Sequence, residues 1–211
     1  MKELVKQYRK TLWVALFGYF FILMLQITLK YIPFHSDVAF LNIKQTEVLE
    51  VLFYLPIFYT HVLSTIFVLL AGFTQFNSLV LNKYPKIHRS IGKLYVFVVL
   101  LLAAPSGFFI GWYANGGLYS KISFVTLSVL WFFFTLKGFL SIKNKQITQH
   151  KSYMLRSFAL TFSAITLRFW KVILVYLFHP SPMDVYQIIA WLGWVPNILI
   201  VEYYIYRNYK S

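Results

Sequence analysis

The chain has 211 residues, of which 59% are hydrophobic and 12% charged, with a mean hydropathy of +0.65. A soluble domain is nearer a quarter charged, so this composition excludes an ordinary water-soluble globule and describes an integral membrane protein. The formal net charge of +14 would suit nucleic acid, but the cations gather in alternate connections as membrane topology requires, so nucleic acid is not expected as a partner. There is no cysteine, which excludes disulfides, thiol chemistry and thiolate metal sites.

The N-terminus, MKELVKQYRK, is basic and precedes an apolar run over Thr11–Ile32. That run is too long for a typical signal-peptide core and no small-residue cleavage pattern follows, so it reads as a retained first span. Six apolar stretches follow one another: Thr11–Ile32, Phe53–Val80, Ile91–Tyr113, Ile122–Ile142, Ser157–Phe178 and Tyr186–Tyr206. Lys2, Lys6, Arg9 and Lys10 precede the first; Lys83, Lys86, Arg89 and Lys93 join the second to the third. Lys143, Lys145, Lys151 and Arg156 join the fourth to the fifth, and Arg207 and Lys210 follow the last. Asp37, Glu47, Glu50 and Asp184 fall in the alternate connections. The positive-inside rule then predicts both termini on the cytoplasmic side. The expected fold is an all-α, single-domain membrane bundle of six spans over residues 1–211.

Within the second span His61, Thr65, Gly72 and Gln75 share a face, with Asn77 following; a short surface helix is expected in the acidic loop Pro33–Glu50. The segment LNKYPKIHRSIGK reads as a turn-like connection. The third span carries Pro105 and the small pair Gly107 and Gly111, a spacing that lets helices approach closely. The fifth stretch, read from His150 to His179, puts His150, Met154, Ser157, Thr161, Ala164, Arg168, Lys171, Val175 and His179 on one helical face. Charged groups within a span usually face protein, water or a ligand, so this stripe predicts the bundle interior. The last span holds Pro196, Asn197 and Glu202, the only carboxylate in a span.

Three segments carry a resemblance: THVLSTIFVLLAGFTQF around His61, KIHRSIGKLYVFVVLLLAAPSG around His88, and QHKSYMLRSFALTFSAITLRFW around His150. Together they resemble the bacterial predicted membrane protein family known as domain of unknown function 2306 (DUF2306). The matching positions are His61, Gln75, His88, Arg89, Gly92, Tyr95, Gly107, Trp131, His150, Met154, Arg156, Ser157 and Arg168, with IIAWLGWVPNILIVE fitting near the C-terminus. His179 is outside that pattern. The resemblance implies a multi-pass protein of a bacterial cytoplasmic membrane and implies no activity.

Histidine is the richest chemical signal. Along the spans His61 and His179 fall at one level, toward the outside, and His88 and His150 at another, toward the cytoplasm. Imidazoles on facing helices can hold b-type haem, and two levels would carry electrons across a membrane as in a cytochrome b561-like bundle. On that reading His61 and His150 are metal ligands, His88 and His179 complete the cofactor set, and Arg168 pairs with propionates. A quinone or other membrane-complex subunits are the partners it calls for, besides the lipid bilayer. The alternative is a non-enzymatic transporter, lipid-binding protein or accessory subunit with an anion-binding cleft at Arg168. No metalloprotease helix, phosphate loop or nucleophile elbow occurs, and no catalytic residue is assigned.

Overall fold

The structure, a computed structural model, describes residues 2–76, 78–179 and 181–209. Asn77 and Lys210 of the sequence reading lie outside the described residues. The described residues form helices and turns, without strands. They are α1 (Lys2–Leu29), α2 (Gln45–Glu50), α3 (Tyr54–Gln75), α4 (Ser78–Lys83), α5 (Pro85–Val98), α6 (Ala104–Trp112), α7 (Gly117–Lys143), α8 (Ile147–Thr161), α9 (Ser163–Phe178), α10 (Pro182–Leu192) and α11 (Val195–Tyr209). A single 3-10 turn, Ala39–Ile43, precedes α2.

Five units are long and apolar enough to cross a bilayer of about 30 Å: Tyr54–Gly72, Pro85–Trp112, Gly117–Lys143, Ile147–Phe178 and Met183–Tyr209. The first expected span is different. Its described apolar part, Val14–Leu29, is shorter than those five. The connection expected around His88 is not a loop. Pro85 occupies the first turn of α5, where its missing N–H costs nothing, so the helix starts there and takes in His88 and Arg89. His150, Lys151 and Arg156 likewise lie inside α8.

Three of the long units are interrupted, each about 15 residues from the basic end. The helix of α5 and α6 passes through a π-helical turn at Val99–Ala103, just before Pro105. The helix of α8 and α9 breaks at Phe162. The helix of α10 and α11 breaks at Gly193 and Trp194, before Pro196. Proline removes an N–H and crowds the carbonyl four residues back, which accounts for the first and third breaks. Irregular backbone is tolerated at such depth only where protein takes up the freed groups. Thr166 Oγ1 donates to Gly193 O, and Asn197 Nδ2 donates to Ala159 O at 3.2 Å and to Gly193 O at 3.2 Å.

The core sits at this level. Val68, Val99, Ala103, Trp131, Leu160 and Trp194 form one buried cluster from five of the helical units. Gly111 lets α6 close on α7: a Cβ there would stand 3.1 Å from Phe124 Cβ and 3.3 Å from backbone. Around the connection between α1 and α3 a second cluster, Tyr31, Leu41, Tyr54, Phe58 and Tyr59, forms a cap over one end. Lys44 is buried in that cap and bonds to Glu47 and to the carbonyl of Tyr113. The expected surface helix is present as α2, but a fully buried lysine beneath it was not foreseen.

Candidate functional site

The polar stripe of the fifth stretch divides at Phe162. Below it, toward the basic end, Ser157 and Thr161 are buried as expected. They meet Tyr95 of α5 and Thr135 of α7. Tyr95 Oη lies 2.7 Å from Ser157 Oγ and 2.9 Å from Thr161 Oγ1, and Ser157 Oγ lies 2.7 Å from Thr135 Oγ1. One assignment satisfies all four hydroxyls. Thr135 donates to Trp131 O at 2.7 Å, so it accepts from Ser157; Ser157 then accepts from Tyr95, and Tyr95 from Thr161. Tyr95, Ser157 and Thr135 then each donate and accept, while Thr161 donates only, with Ser157 O at 3.2 Å as a second acceptor; every buried hydroxyl has a partner, as buried polar groups require. One turn nearer the basic end, Arg156 forms a two-point ion pair with Glu202, with Nη2 to Oε2 at 2.8 Å. Its guanidinium also lies 5.8 Å from the Phe134 ring centre and 5.5 Å from that of Tyr153.

Beyond Phe162 the stripe behaves differently. Arg168 lies deep among protein atoms yet keeps part of its surface accessible. Its only hydrogen bond among the described residues runs from Nη1 to Ala164 O of its own helix, at 2.7 Å. Among the described residues no carboxylate forms an ion pair with it, and Glu202 pairs with Arg156. The ionisable groups in its electrostatic reach are Tyr31, in the turn after α1, and His61 of α3. Lys171, Val175 and His179 of the same stripe are exposed, and His179 ends α9 in a left-handed turn with φ 46°. This part of the stripe is a correction: beyond Arg168 it does not line the interior, because Lys171, Val175 and His179 lie on the exposed face of α9, which packs along α10.

His61 is held from one side. Its Nδ1 lies 3.0 Å from Ala103 O in the π-helical turn and 3.3 Å from Ser106 Oγ. A carbonyl can only accept, so Nδ1 carries the proton and Nε2 is left as the acceptor. Gly107 makes room for this ring: a Cβ there would meet His61 Cε1 at 2.9 Å. His150 is oriented in the same way, with Nδ1 2.8 Å from Gly138 O. His88 lies within electrostatic reach of His150, and its buried Nδ1 has no partner among the described residues.

His61 and His150 therefore lie at different levels and do not meet. Ser128, beside the Gly107 and His61 contact, and Gly138, beside His150, are both on α7. Ten residues separate them, about 15 Å along the helix. One iron cannot be shared by His61 and His150 at that separation. His179 lies about 16 Å beyond Arg168 along α9, so it supplies no second imidazole at the level of His61. Two cavities flank the bundle. One of about 380 Å³ lies between α3 and α5, against Phe67, Ala71, Thr74, Leu94 and Val98; one of about 200 Å³ lies between α6 and α7. Neither is lined by a histidine. Among the described residues no group of three or more histidine or carboxylate side chains is placed to hold a metal. Neither His61 with His150 nor His61 with His179 makes the facing pair that a bis-imidazole haem needs, and no redox step is derived through one.

An all-helical chain with at least five membrane-length apolar helices is a polytopic membrane protein. The family model described as "Predicted membrane protein (DUF2306)" matches residues 58–205, and the chain belongs to that family. No curated protein and no solved structure matches the chain.

Tyr95, Thr135, Thr166 and Asn197 were not legible as a polar lattice. The signal lay in Pro105 and Pro196. A proline in mid-span frees carbonyls, and hydroxyl and amide side chains at the same depth are the groups that take them up.

Proposed function

We propose that the protein is a non-enzymatic membrane binding or transport protein whose interior cleft holds an anionic group at Arg168. One observation carries this reading. A guanidinium deep in the bundle has no carboxylate beside it and one hydrogen bond, although the same chain gives Arg156 a complete ion pair. An unmatched charge within a span is costly and marks a ligand or ion position. His61 Nε2 and Tyr31 are the nearby polar groups that would complete the anion's surroundings. The three helix breaks support it as well, since discontinuous helices at mid-depth frame the binding sites of many transporters.

The orientation that goes with this reading has α1 as a sixth span and both termini cytoplasmic, in a bacterial cytoplasmic membrane. Lys83, Lys86, Arg89, Lys143 and Lys145 then mark the cytoplasmic end and the cap faces outward. Single cysteines placed in this cysteine-free chain test it. A Lys145→Cys variant should resist an impermeant thiol reagent applied from outside, and labelling there would reverse the orientation.

The binding reading is tested by the thermal midpoint of purified protein in a neutral detergent, titrated with acetate, inorganic phosphate, sulfate, decanoate and oleate. At least one should raise the midpoint of the wild type and leave that of Arg168→Gln unchanged. If none distinguishes the two proteins, the anion site does not exist.

A further inference from the structure

The larger cavity, about 380 Å³, is a groove between α3 and α5 in the half toward the basic end. Its floor is buried: Val68 is 1% exposed, Tyr95 3% and Val98 8%. Its walls are not. Phe67 is 61% exposed, Leu70 46% and Leu94 55%, so the groove opens sideways at membrane depth. Two of its lining residues, Thr74 and Tyr95, carry hydroxyls, and the protein engages both. Thr74 Oγ1 donates to Ala71 O at 2.9 Å, and Tyr95 Oη belongs to the lattice with Ser157 and Thr161. The groove therefore offers apolar contact alone, over roughly 10 Å of helix from Ile91 to Val98. At the basic end α4 joins the two helices and packs on both. It ends in Lys83, which is exposed. On α5, steps of four residues back from Leu94 reach Ser90 and then Lys86, so the exposed Lys86 continues the line of that wall toward the basic end. Neither lysine forms an ion pair among the described residues.

We infer that this groove is a site for an anionic phospholipid of the leaflet at the basic end, with one acyl chain along α3 and α5 and the phosphate at Lys83 and Lys86. The site is a second place in the fold and is independent of the anion proposed at Arg168. Two features choose the occupant. Hydrocarbon is the chemistry that a groove without an available hydrogen-bonding group accepts, since a polar group buried there without a partner is costly. Charge then separates a lipid from a second copy of the chain. A copy inserted in the same direction brings its own basic end to the same level, and so sets cations against Lys83 and Lys86. An anionic head is attracted to them, as to other basic pockets between helices at a membrane surface. A neutral lipid would fill the apolar groove equally well, so the selectivity lies in the head.

The test is photolabelling of the full chain in vesicles of dioleoylphosphatidylcholine with a trace of phosphatidylglycerol that carries a diazirine in one acyl chain. Label should concentrate on peptides from α3 and α5 that hold residues 67–74 and 91–98. Dioleoylphosphatidylglycerol should compete, while dioleoylphosphatidylethanolamine and glycerol 3-phosphate should not. The double variant Lys83→Gln and Lys86→Gln alters exposed side chains alone and should weaken that binding about thirtyfold, which corresponds to about 2 kcal/mol. Lys143→Gln with Lys145→Gln removes equal charge at the same end and should leave it unchanged. Equal losses in the two double variants, or competition by phosphatidylethanolamine as potent as that by phosphatidylglycerol, would overturn a site read by Lys83 and Lys86. Labelling spread evenly over the helices would overturn the groove itself. Chain-to-chain disulfides formed through Leu94→Cys, with α3 and α5 unlabelled, would assign the groove to a second copy and equally overturn the inference.

Discussion

The two arginines of the bundle interior stand in opposite conditions. Arg156, in the half toward the basic end, has a two-point carboxylate partner and two aromatic rings. Around it every hydroxyl of the Tyr95 lattice has a hydrogen-bond partner. Arg168, in the half toward the cap, has one carbonyl of its own helix as its hydrogen-bond partner among the described residues. The first half is built as structure: its polar groups answer one another and fix the positions of α5, α7, α8 and α11. The second half is left incomplete by the protein itself. An interior charge that the chain does not neutralise is evidence for something the chain binds, whereas one that it does neutralise is not.

That contrast can be broken at several strengths. The largest effect belongs to a seam that serves both halves. Gly111→Leu would drive a side chain into Phe124 and the backbone of α7, and should cost about 3 kcal/mol or prevent folding, read as loss of monodisperse protein in detergent. Next comes the lattice. Ser157→Ala removes the hydroxyl that joins Tyr95 to Thr135 and should cost about 2 kcal/mol, because a buried partner loses its bond. Tyr95→Phe should cost a similar amount, and the double variant less than the sum of the two, since both break the same chain. Glu202→Gln weakens the Arg156 pair; with Glu202 partly exposed, a loss of about 1 kcal/mol is expected. All of these are read as midpoints of unfolding, and if changes at Ser157 and Tyr95 prove additive, the hydroxyls do not form one chain.

The sequence made the outline of this fold legible. Apolar runs gave the five membrane-length helices to within a few residues at most ends, and the spacing of Gly107 and Gly111 marked the seam against α7. The stripe through Ser157, Thr161 and Arg168 found the interior, because a helix has one polar face only when something polar meets it. It overreached at Lys171, Val175 and His179, since periodicity continues along a helix whether or not a neighbour does. The pairing of Arg156 with Glu202 was hidden for a related reason. Arg156 was counted among the topological cations, and its helix was taken to begin at Ser157 rather than at Ile147. Histidine spacing separated His61 from His150 but placed His179 level with His61, which the length of α9 beyond Arg168 does not allow, and it could not say whether imidazoles face one another, which depends on helix rotation. The buried Lys44 had no signal in composition; only the folded cap shows what it holds.

The account rests on Arg168 being unmatched in the protein alone, and one pair of melting curves tests this most directly. Arg168→Met and Arg156→Met are compared with wild type in neutral detergent, with no anion added. Removing a charge that lacks a partner should leave the midpoint unchanged or raise it, whereas removing Arg156 breaks its two-point pair with Glu202 and should lower it by the equivalent of about 1 kcal/mol. A midpoint for Arg168→Met that falls as far as that for Arg156→Met would show that Arg168 is satisfied within the bundle, and would contradict the account.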